Sequence, residues 1–499
     1  MATAIILGVF LAAMIGLGVW GGRRTKTPTD FLLGGRQIGP WASAFAYGTS
    51  YFSAVLFIGF AGQFGWMFGL DALWIAAGNA VLGAFAAWVV LAKATRRMTR
   101  NLDTLTMPEF FAKRYQAPAL QVIAAGVIFV FLLPYSASVF KGLSHLFEIS
   151  FPGVLSYETA LLIMCVITGL YLTIGGYFAV AIADLVQGLV MLAGAIAMVV
   201  ALVGRAGGIG VVFATIGANT AAHVPPIQQP PWWILWSVVF MSSFGPWGLP
   251  QMVHKFYAIE SERHIAKATV VTGIFATVMG FAAYFTGALT HVFFADGPPA
   301  SALIQGEQGT TTMRYDVLVP ELLSGNLPEL LMALVLLLVV SASMSTLSSL
   351  VLVSSASISI DLRAGRLRSP SAENGSLVMI RLVAALFIAI SFVIASNEFA
   401  FIVSLMSLSW GAVAGAFLAP YVCGLFWRSA TRAGALAGML TGLGTAVVWG
   451  GYLIATEQVT LVPLAASVAM VVPFVVVPAV SLCSTPPSSD LLRRAFSAE

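Results

Sequence analysis

A stripe of hydroxyls runs through one apolar stretch of the sequence, Val340-Ser-Ala-Ser-Met-Ser-Thr-Leu-Ser-Ser-Leu. At 3.6 residues per turn, Ala342, Ser345, Thr346 and Ser349 share one helix face, with Ser348 beside them. Such a face offers oxygen ligands. A hard cation such as sodium prefers oxygen, by analogy with calcium and magnesium. A nearby carboxylate would balance its charge, and Asp184 is the clearest acid inside an apolar run, as Lys141 is the clearest base. An ionisable group at the centre of a membrane helix costs about 2.5–3.5 kcal/mol, so it is kept for a reason. Serines on membrane helices also serve close packing, and that use remains open for this stripe.

A second pattern concerns broken helices. Tyr47-Gly-Thr-Ser-Tyr-Phe-Ser, followed by Gly59, and Ser242-Ser-Phe-Gly-Pro-Trp-Gly each put Gly, small polar and aromatic residues in the middle of an apolar run. The two runs stand five apart, as two inverted repeats of roughly five helices require. Unwinding there frees carbonyls for a cation and amides for a solute. Ser50, Tyr51, Ser53, Asn79, Ser242 and Trp247 are the candidate solute ligands. Tyr51 and Trp247 could stack on the solute, gate it, or only fill space.

These residues need elements that hold them in lipid. Of 499 residues, 59% are hydrophobic and 9% charged, and mean hydropathy is +0.94. That leaves too little charge to cover a water-facing surface of this size. About 13 runs have the roughly 20 apolar residues that a spanning helix needs, the fifth and sixth meeting softly at Gly175-Gly176. The composition therefore predicts an all-α polytopic membrane protein embedded in the bilayer. Lys and Arg exceed Asp and Glu by 24 to 20, too small an excess for a nucleic-acid binder. All the basic residues except Lys141, Arg205 and Arg314 fall on one set of alternating loops or at its helix ends, including Arg23 to Arg36, Lys93 to Arg114, Lys255 to Lys267 and Arg363 to Arg368. The positive-inside rule then puts the N-terminus outside and the C-terminus in the cytoplasm. Cys165, Cys423 and Cys483 have no metal-ligand or disulfide spacing. No nucleophile–base arrangement suggests an enzyme, and no obligate protein partner is evident.

The motifs resemble those of the sodium/solute symporter family, which includes proline, pantothenate, sialic-acid and sugar transporters. The resemblance is carried by Ala342-Ser-Met-Ser-Thr, by Gly175-Gly-Tyr-Phe-Ala-Val with Asp184 and Gln187, and by Thr106-Met-Pro-Glu-Phe-Phe-Ala-Lys-Arg-Tyr. Gly248-Leu-Pro-Gln-Met-Val-His-Lys-Phe and Gly424-Leu-Phe-Trp-Arg-Ser-Ala-Thr-Arg-Ala-Gly add to it. The resemblance implies a leucine-transporter-like inverted-repeat core with one helix before it and two after. Residues 1–22 would form the extra N-terminal helix, 40–204 and 230–427 the two repeats, 432–482 the C-terminal helices and 483–499 a cytoplasmic tail. It also implies a principal sodium site made of the carbonyls of Thr49, Phe52 and Ala342 and the hydroxyls of Ser345 and Thr346. Some members hold a second sodium, and the matching residues here are Asp184, Ser345, Ser348 and Ser349.

Two sodium ions are therefore expected, each contributing about 2.3 kcal/mol per 100 mV. The expected function is sodium-coupled import of a small organic solute across the inner (cytoplasmic) membrane, with an amino acid or carboxylate favoured. The family's proline carriers have an acid where Tyr51 stands, which makes proline doubtful. Lys141 might serve an anionic solute, snorkel, or pair with Glu148. The alternatives are proton coupling on the same fold through Asp184 and a solute sensor that does not transport. Some kinases carry a symporter-like membrane module, and the chain continues only to Glu499 after Val480, with no room for a kinase.

Overall fold

The computed structural model describes residues 2–23, 27–151, 153, 156–224, 230–305, 311–363, 372–397 and 402–497. Four members of the basic pattern, Arg24, Lys26, Arg366 and Arg368, lie outside these residues. In lipid, each backbone N–H and C=O must be satisfied within its own segment, and the helix does this. Among the described residues, ten helices are long and apolar enough to cross a membrane. The exceptions to helix are few. A short antiparallel hairpin pairs Leu303–Gln305 with Thr311–Met313, with Leu303 opposite Met313.

The expected breaks are present. The helix Pro40–Tyr51 stops at Phe52, whose φ and ψ are −107° and 101°. The chain then restarts through a widened π-type turn at Val55–Phe60 and continues as Ala61–Phe68. In the matching run, Trp232–Gly248 stops at Leu249 (φ −81°, ψ 122°), and Pro250 opens the half-helix Pro250–Ala258 with its ring at a first-turn position. A third interruption lies within Tyr157–Arg205, where Gly176 adopts φ 67° and ψ 176°. A side chain there would be strained, so the Gly175-Gly176 boundary has a conformational cause.

The hydroxyl-bearing helix Glu329–Ser359 packs against both Tyr157–Arg205 and Pro118–Ser150, and also touches Pro40–Tyr51. Its buried face includes Ala342, Ser345, Thr346, Ser348 and Ser349, none more than 1% exposed. The stripe is thus turned into the protein and away from lipid.

The end of the bundle that carries most of the basic residues is tied together by them. Arg97 pairs with Glu262, which Lys93 also approaches at 3.4 Å. Arg96 is buried and donates to the carbonyls of Ile259 and Glu260. Arg114, fully buried, donates to the carbonyls of Gly424 and Trp427 at 2.8 and 3.0 Å. At this end too, Asp361 accepts hydrogen bonds from Thr106 (2.7 Å) and Gln121 (2.9 Å), joining three separate segments. Glu148 lies against His145 at 3.7 Å, and the buried carboxylate that feels the charge of Lys141 is Asp316.

Candidate functional site

Where the Pro40–Tyr51 helix ends, its last carbonyls lose their partners in the following turn, and the partial negative charge of a helix C-terminus collects there. The hydroxyl of Thr346 donates to the carbonyls of both Thr49 and Ser50, at 3.3 Å each. One helical position away, Ser345 donates to the hydroxyl of Thr49 at 2.7 Å, and that hydroxyl donates to the carbonyl of Phe45 at 2.7 Å. Ser50 and Ser349 share a hydrogen bond of 2.8 Å. Two neighbouring groups of oxygens from two elements result: the hydroxyls of Ser345 and Thr49, and the hydroxyl of Thr346 with the carbonyls of Thr49 and Ser50.

Their spacing suits a small hard cation. For an ion whose oxygen ligands lie about 2.3–2.6 Å away, neighbouring corners of an octahedron are about 3.3–3.7 Å apart. The two 3.3 Å contacts of Thr346 match such edges. Of the sequence-predicted principal set, Thr49, Ser345 and Thr346 are brought into direct contact. Phe52 lies at the break itself, and Ala342 one turn from Thr346 on the same helix. Ser50 enters through its carbonyl, a role the sequence alone did not assign to it.

The second set, Asp184, Ser345, Ser348 and Ser349, behaves differently. Asp184 is fully buried, with no hydrogen bond of good geometry to either carboxylate oxygen, and the Ser345 hydroxyl and the Lys255 ammonium both act on it. The proton of Ser348 goes to the carbonyl of Met344 on its own helix, at 2.7 Å. Ser345 is bound to Thr49, and Ser349 lies between Ser50 and a residue from another element, Lys255. The ammonium of Lys255 donates to Ser349 at 2.8 Å and stands 5.0 Å from the centre of the Tyr177 ring. The sequence places Lys255 with the basic loops, but it is 1% exposed. The signal that could have found it is its own motif, where the half-helix opened by Pro250 carries it back into the bundle.

The solute candidates split into two groups. The hydroxyl of Tyr51 donates to the carbonyl of Ser242 at 2.6 Å, and Ser242 donates to Asn79 at 2.7 Å. This small network links both broken helices to the neighbouring segment. The Tyr51 ring lies between Phe52 (centroids 4.5 Å apart) and Trp410 (6.4 Å). Gly83 admits it, since a Cβ at that position would come within 2.1 Å of the Tyr51 oxygen. Ser53 accepts from the amide of Val55 at 3.2 Å, at the start of the second half-helix. Trp247, by contrast, is half-buried, and its indole donates to the carbonyl of Leu82 at 3.0 Å. Nothing in the sequence singles out Trp410. It is 2% exposed, and Tyr135 meets its ring edge-on at 5.9 Å.

An all-helical bundle with two broken helices facing a hydroxyl-bearing one defines a class of membrane transporter with a leucine-transporter-like inverted-repeat core. Two solved structures share the fold. A Na+-coupled sialic acid symporter superposes with a TM-score of 0.75 at 16% identity over 98% of both chains. A nucleobase-cation-symport-1 family transporter gives 0.54 at 13%, covering 94% of this chain and 99% of the other. Residues 31–442 match the sodium:solute symporter family, and the chain belongs to that family. It is a transporter and not an enzyme. Among its curated relatives, the sodium/proline symporter of Salmonella typhimurium is 31% identical over 454 residues, covering 89% of this chain and 87% of the relative. The osmoregulated proline transporter of Bacillus subtilis is 28% identical, covering 89% and 88%.

Proposed function

We propose that this protein is a sodium-coupled symporter that imports a small organic solute by alternating access, with a carboxylate-bearing or amino-acid solute as its class. The observation that carries the reading is the contact of the Thr346 hydroxyl with the carbonyls of Thr49 and Ser50 at the helix break. Sodium is the cargo whose downhill movement drives the solute. Its principal ligands are drawn from Thr49, Ser50, Phe52, Ala342, Ser345 and Thr346. The C-terminal end of Pro40–Tyr51 presents negative partial charge to it.

The solute class follows from the other side of the same break. A helix N-terminus attracts anionic groups, and the second half-helix starts just after Ser53. Tyr51, Ser53, Asn79 and Ser242 line this region, with Ser50 beside them and Trp247 at its margin. Both relatives described above carry names that include proline, which has both a carboxylate and a cationic amine. The buried aromatic pair Tyr51 and Trp410 favours a compact apolar body between those groups.

The basic end, with Arg97, Lys93 and Arg114, faces the cytoplasm on this reading, which places the N-terminus outside. Residues 40–204 and 230–427 form the two repeats, and the protein lies in the inner (cytoplasmic) membrane. The test is uptake of labelled amino acids and small carboxylates, proline included, into proteoliposomes under sodium, proton or no cation gradient. Accumulation driven by the sodium gradient and absent with potassium is expected. Uptake driven equally by a proton gradient alone, or solute binding without transport, would overturn the reading.

A further inference from the structure

We propose that His223 and His291 form a clamp at the outer end of the bundle that closes on one shared proton, and that this proton fastens the cover over the half-helix Ala61–Phe68. External pH then controls how readily the solute path opens. The inference rests on the orientation proposed above, in which the basic end faces the cytoplasm.

The hydrogen bonds fix the proton count. His291 turns its Nε2 to the carbonyl of Trp66 at 2.9 Å, and His223 turns its Nε2 to the carbonyl of Ala295 at 3.0 Å. A carbonyl only accepts, so both Nε2 atoms carry protons. The two Nδ1 atoms then face each other at 2.9 Å. Two neutral rings would set lone pair against lone pair there. One further proton between them makes the contact a hydrogen bond, with three protons on two rings and one positive charge. His291 is fully buried and His223 only half-buried, so the charge belongs on His223, which donates to the neutral His291. The Trp66 indole lies against both rings, with centroids 5.2 and 4.6 Å away, within cation–π reach.

The clamp joins separate parts of the chain. Ala61–Phe68 continues the first broken helix and is buried along its whole length. Trp66 is covered by Val224, Ala302, Val317 and Leu318, which follow the helices Ile209–His223 and Thr290–Phe293. His223 reaches from the first of these helices to Ala295, just past the second, and Asn219 doubles the tie by donating to the carbonyl of His291 at 2.8 Å. Solute arriving from outside must pass this cover, since alternating access moves one part of the bundle against another around a fixed site. Loss of the shared proton leaves two lone pairs facing, and a fourth proton leaves two N–H groups facing. Either change loosens the clamp, so the cover is held most firmly in a pH window around imidazole's ordinary value of about 6.5. The elements packed around the pair bring Asp71, Arg205, Tyr284, Asp296, Tyr315 and Glu321 to this end. None of them hydrogen-bonds to either ring among the described contacts, so the proton is held by the pair's own geometry.

The test reads the cover directly and needs no solute. Cys165, Cys423 and Cys483 are replaced by Ser, and either Ala302→Cys, fully buried against Trp66, or Ser301→Cys, its exposed neighbour, is added. Cells expressing the full chain are treated with a membrane-impermeant maleimide over a range of external pH, in buffer containing a metal chelator. Dividing the Ala302→Cys rate by the Ser301→Cys rate removes the reagent's own pH dependence. The ratio is expected to pass through a minimum at about pH 6.5 and to rise about 10-fold on either side, the scale of one charge-assisted hydrogen bond. His223→Phe keeps a ring against Trp66 but has no nitrogen, so its ratio should stay high and level with pH. His223→Gln has an amide and no ionisable proton, should be level too, and serves if the Phe variant misfolds. A level ratio with both histidines present, or a minimum that survives either variant, overturns the clamp. Ser301→Cys reached only from the cytoplasmic side overturns the orientation, and the external control with it.

Discussion

Replacing Thr346 with Val tests the proposed sodium site with the least disturbance to packing, because Val keeps the branched shape and loses only the hydroxyl. In the structure that hydroxyl is 3.3 Å from the carbonyls of both Thr49 and Ser50. A hydrogen-bonding partner of a charged group contributes about 1.5–3 kcal/mol. At about 1.4 kcal/mol per decade, losing one oxygen ligand would weaken sodium binding about 10–100-fold. The variant also loses its bonds to the carbonyls in the ion-free state, so part of the cost cancels. The net effect falls near the lower end, about 10-fold. The assay is solute uptake into proteoliposomes across a sodium series, where half-saturating sodium should rise about 10-fold while the rate at saturating sodium stays close to wild type. Ser343→Ala is the matched control, since Ser343 is equally buried on the same helix but donates only to the carbonyl of Val339, at 2.7 Å. A folded Thr346→Val protein with the sodium dependence of wild type, or an equal shift in Ser343→Ala, would refute the assignment.

Tyr51→Phe removes the hydroxyl that holds the carbonyl of Ser242, and half-saturating solute should rise about 2–10-fold at fixed sodium, read from uptake kinetics. Gly83→Ala should destabilise the protein by about 1–3 kcal/mol, because the new methyl meets the Tyr51 oxygen at 2.1 Å. Adding Tyr51→Phe should recover part of that loss in melting temperature, and strictly additive effects would contradict the contact. Asp361, beyond the end of its spanning helix, is pushed up to about 7 by burial, against the hydrogen bonds of Gln121 and Thr106. An acid with a higher pKa in the folded state than its unfolded value of about 3.9 costs stability progressively as pH rises from there to about 7. Asp361→Asn should therefore melt like wild type near pH 4 and above it by an amount on the order of 2–4 kcal/mol beyond pH 7, and a pH-independent difference would reject this account.

Periodicity could show which side chains share a face, and it did so for Ala342, Ser345, Thr346 and Ser349, all buried on the inner side of one helix. It could not show what that face meets. Thr49 lies 296 positions from Ser345, and Tyr51 lies 191 from the Ser242 carbonyl it holds. Motif resemblance puts Thr49 and Ser345 in one site, and the paired breaks put Tyr51 and Ser242 in one region, because no local rule reaches across such distances. Ser348 shows a finer limit: its place on the helix was legible, but its hydroxyl rotates to the carbonyl of Met344, a choice made by a side-chain torsion. Trp247 sits in a broken run as expected, yet its indole is held by Leu82 at the margin of the site. On sequence Lys255 groups with the loops, because a lysine followed shortly by Arg263 and Lys267 looks like a basic connection. The Pro250 restart, which turns that stretch into a buried half-helix, is what reverses the assignment.

The same few residues explain how two cargoes can be coupled on the proposed reading. Thr49 and Ser50 turn their oxygens toward the hydroxyl helix, while Tyr51, next in the chain, reaches across to Ser242 on the other broken helix. Backbone that has left the helix at Phe52 has no ladder of its own to fix it. An ion bound to the Thr49 and Ser50 carbonyls would restrict that backbone and with it the position of the Tyr51 ring. The ordering cost for the solute then falls by the amount the ion has already met, which is positive coupling between the sites. By linkage the solute must strengthen ion binding by the same factor. The hydrogen bond between Ser50 and Ser349 extends this unit to Lys255, whose ammonium donates to Ser349.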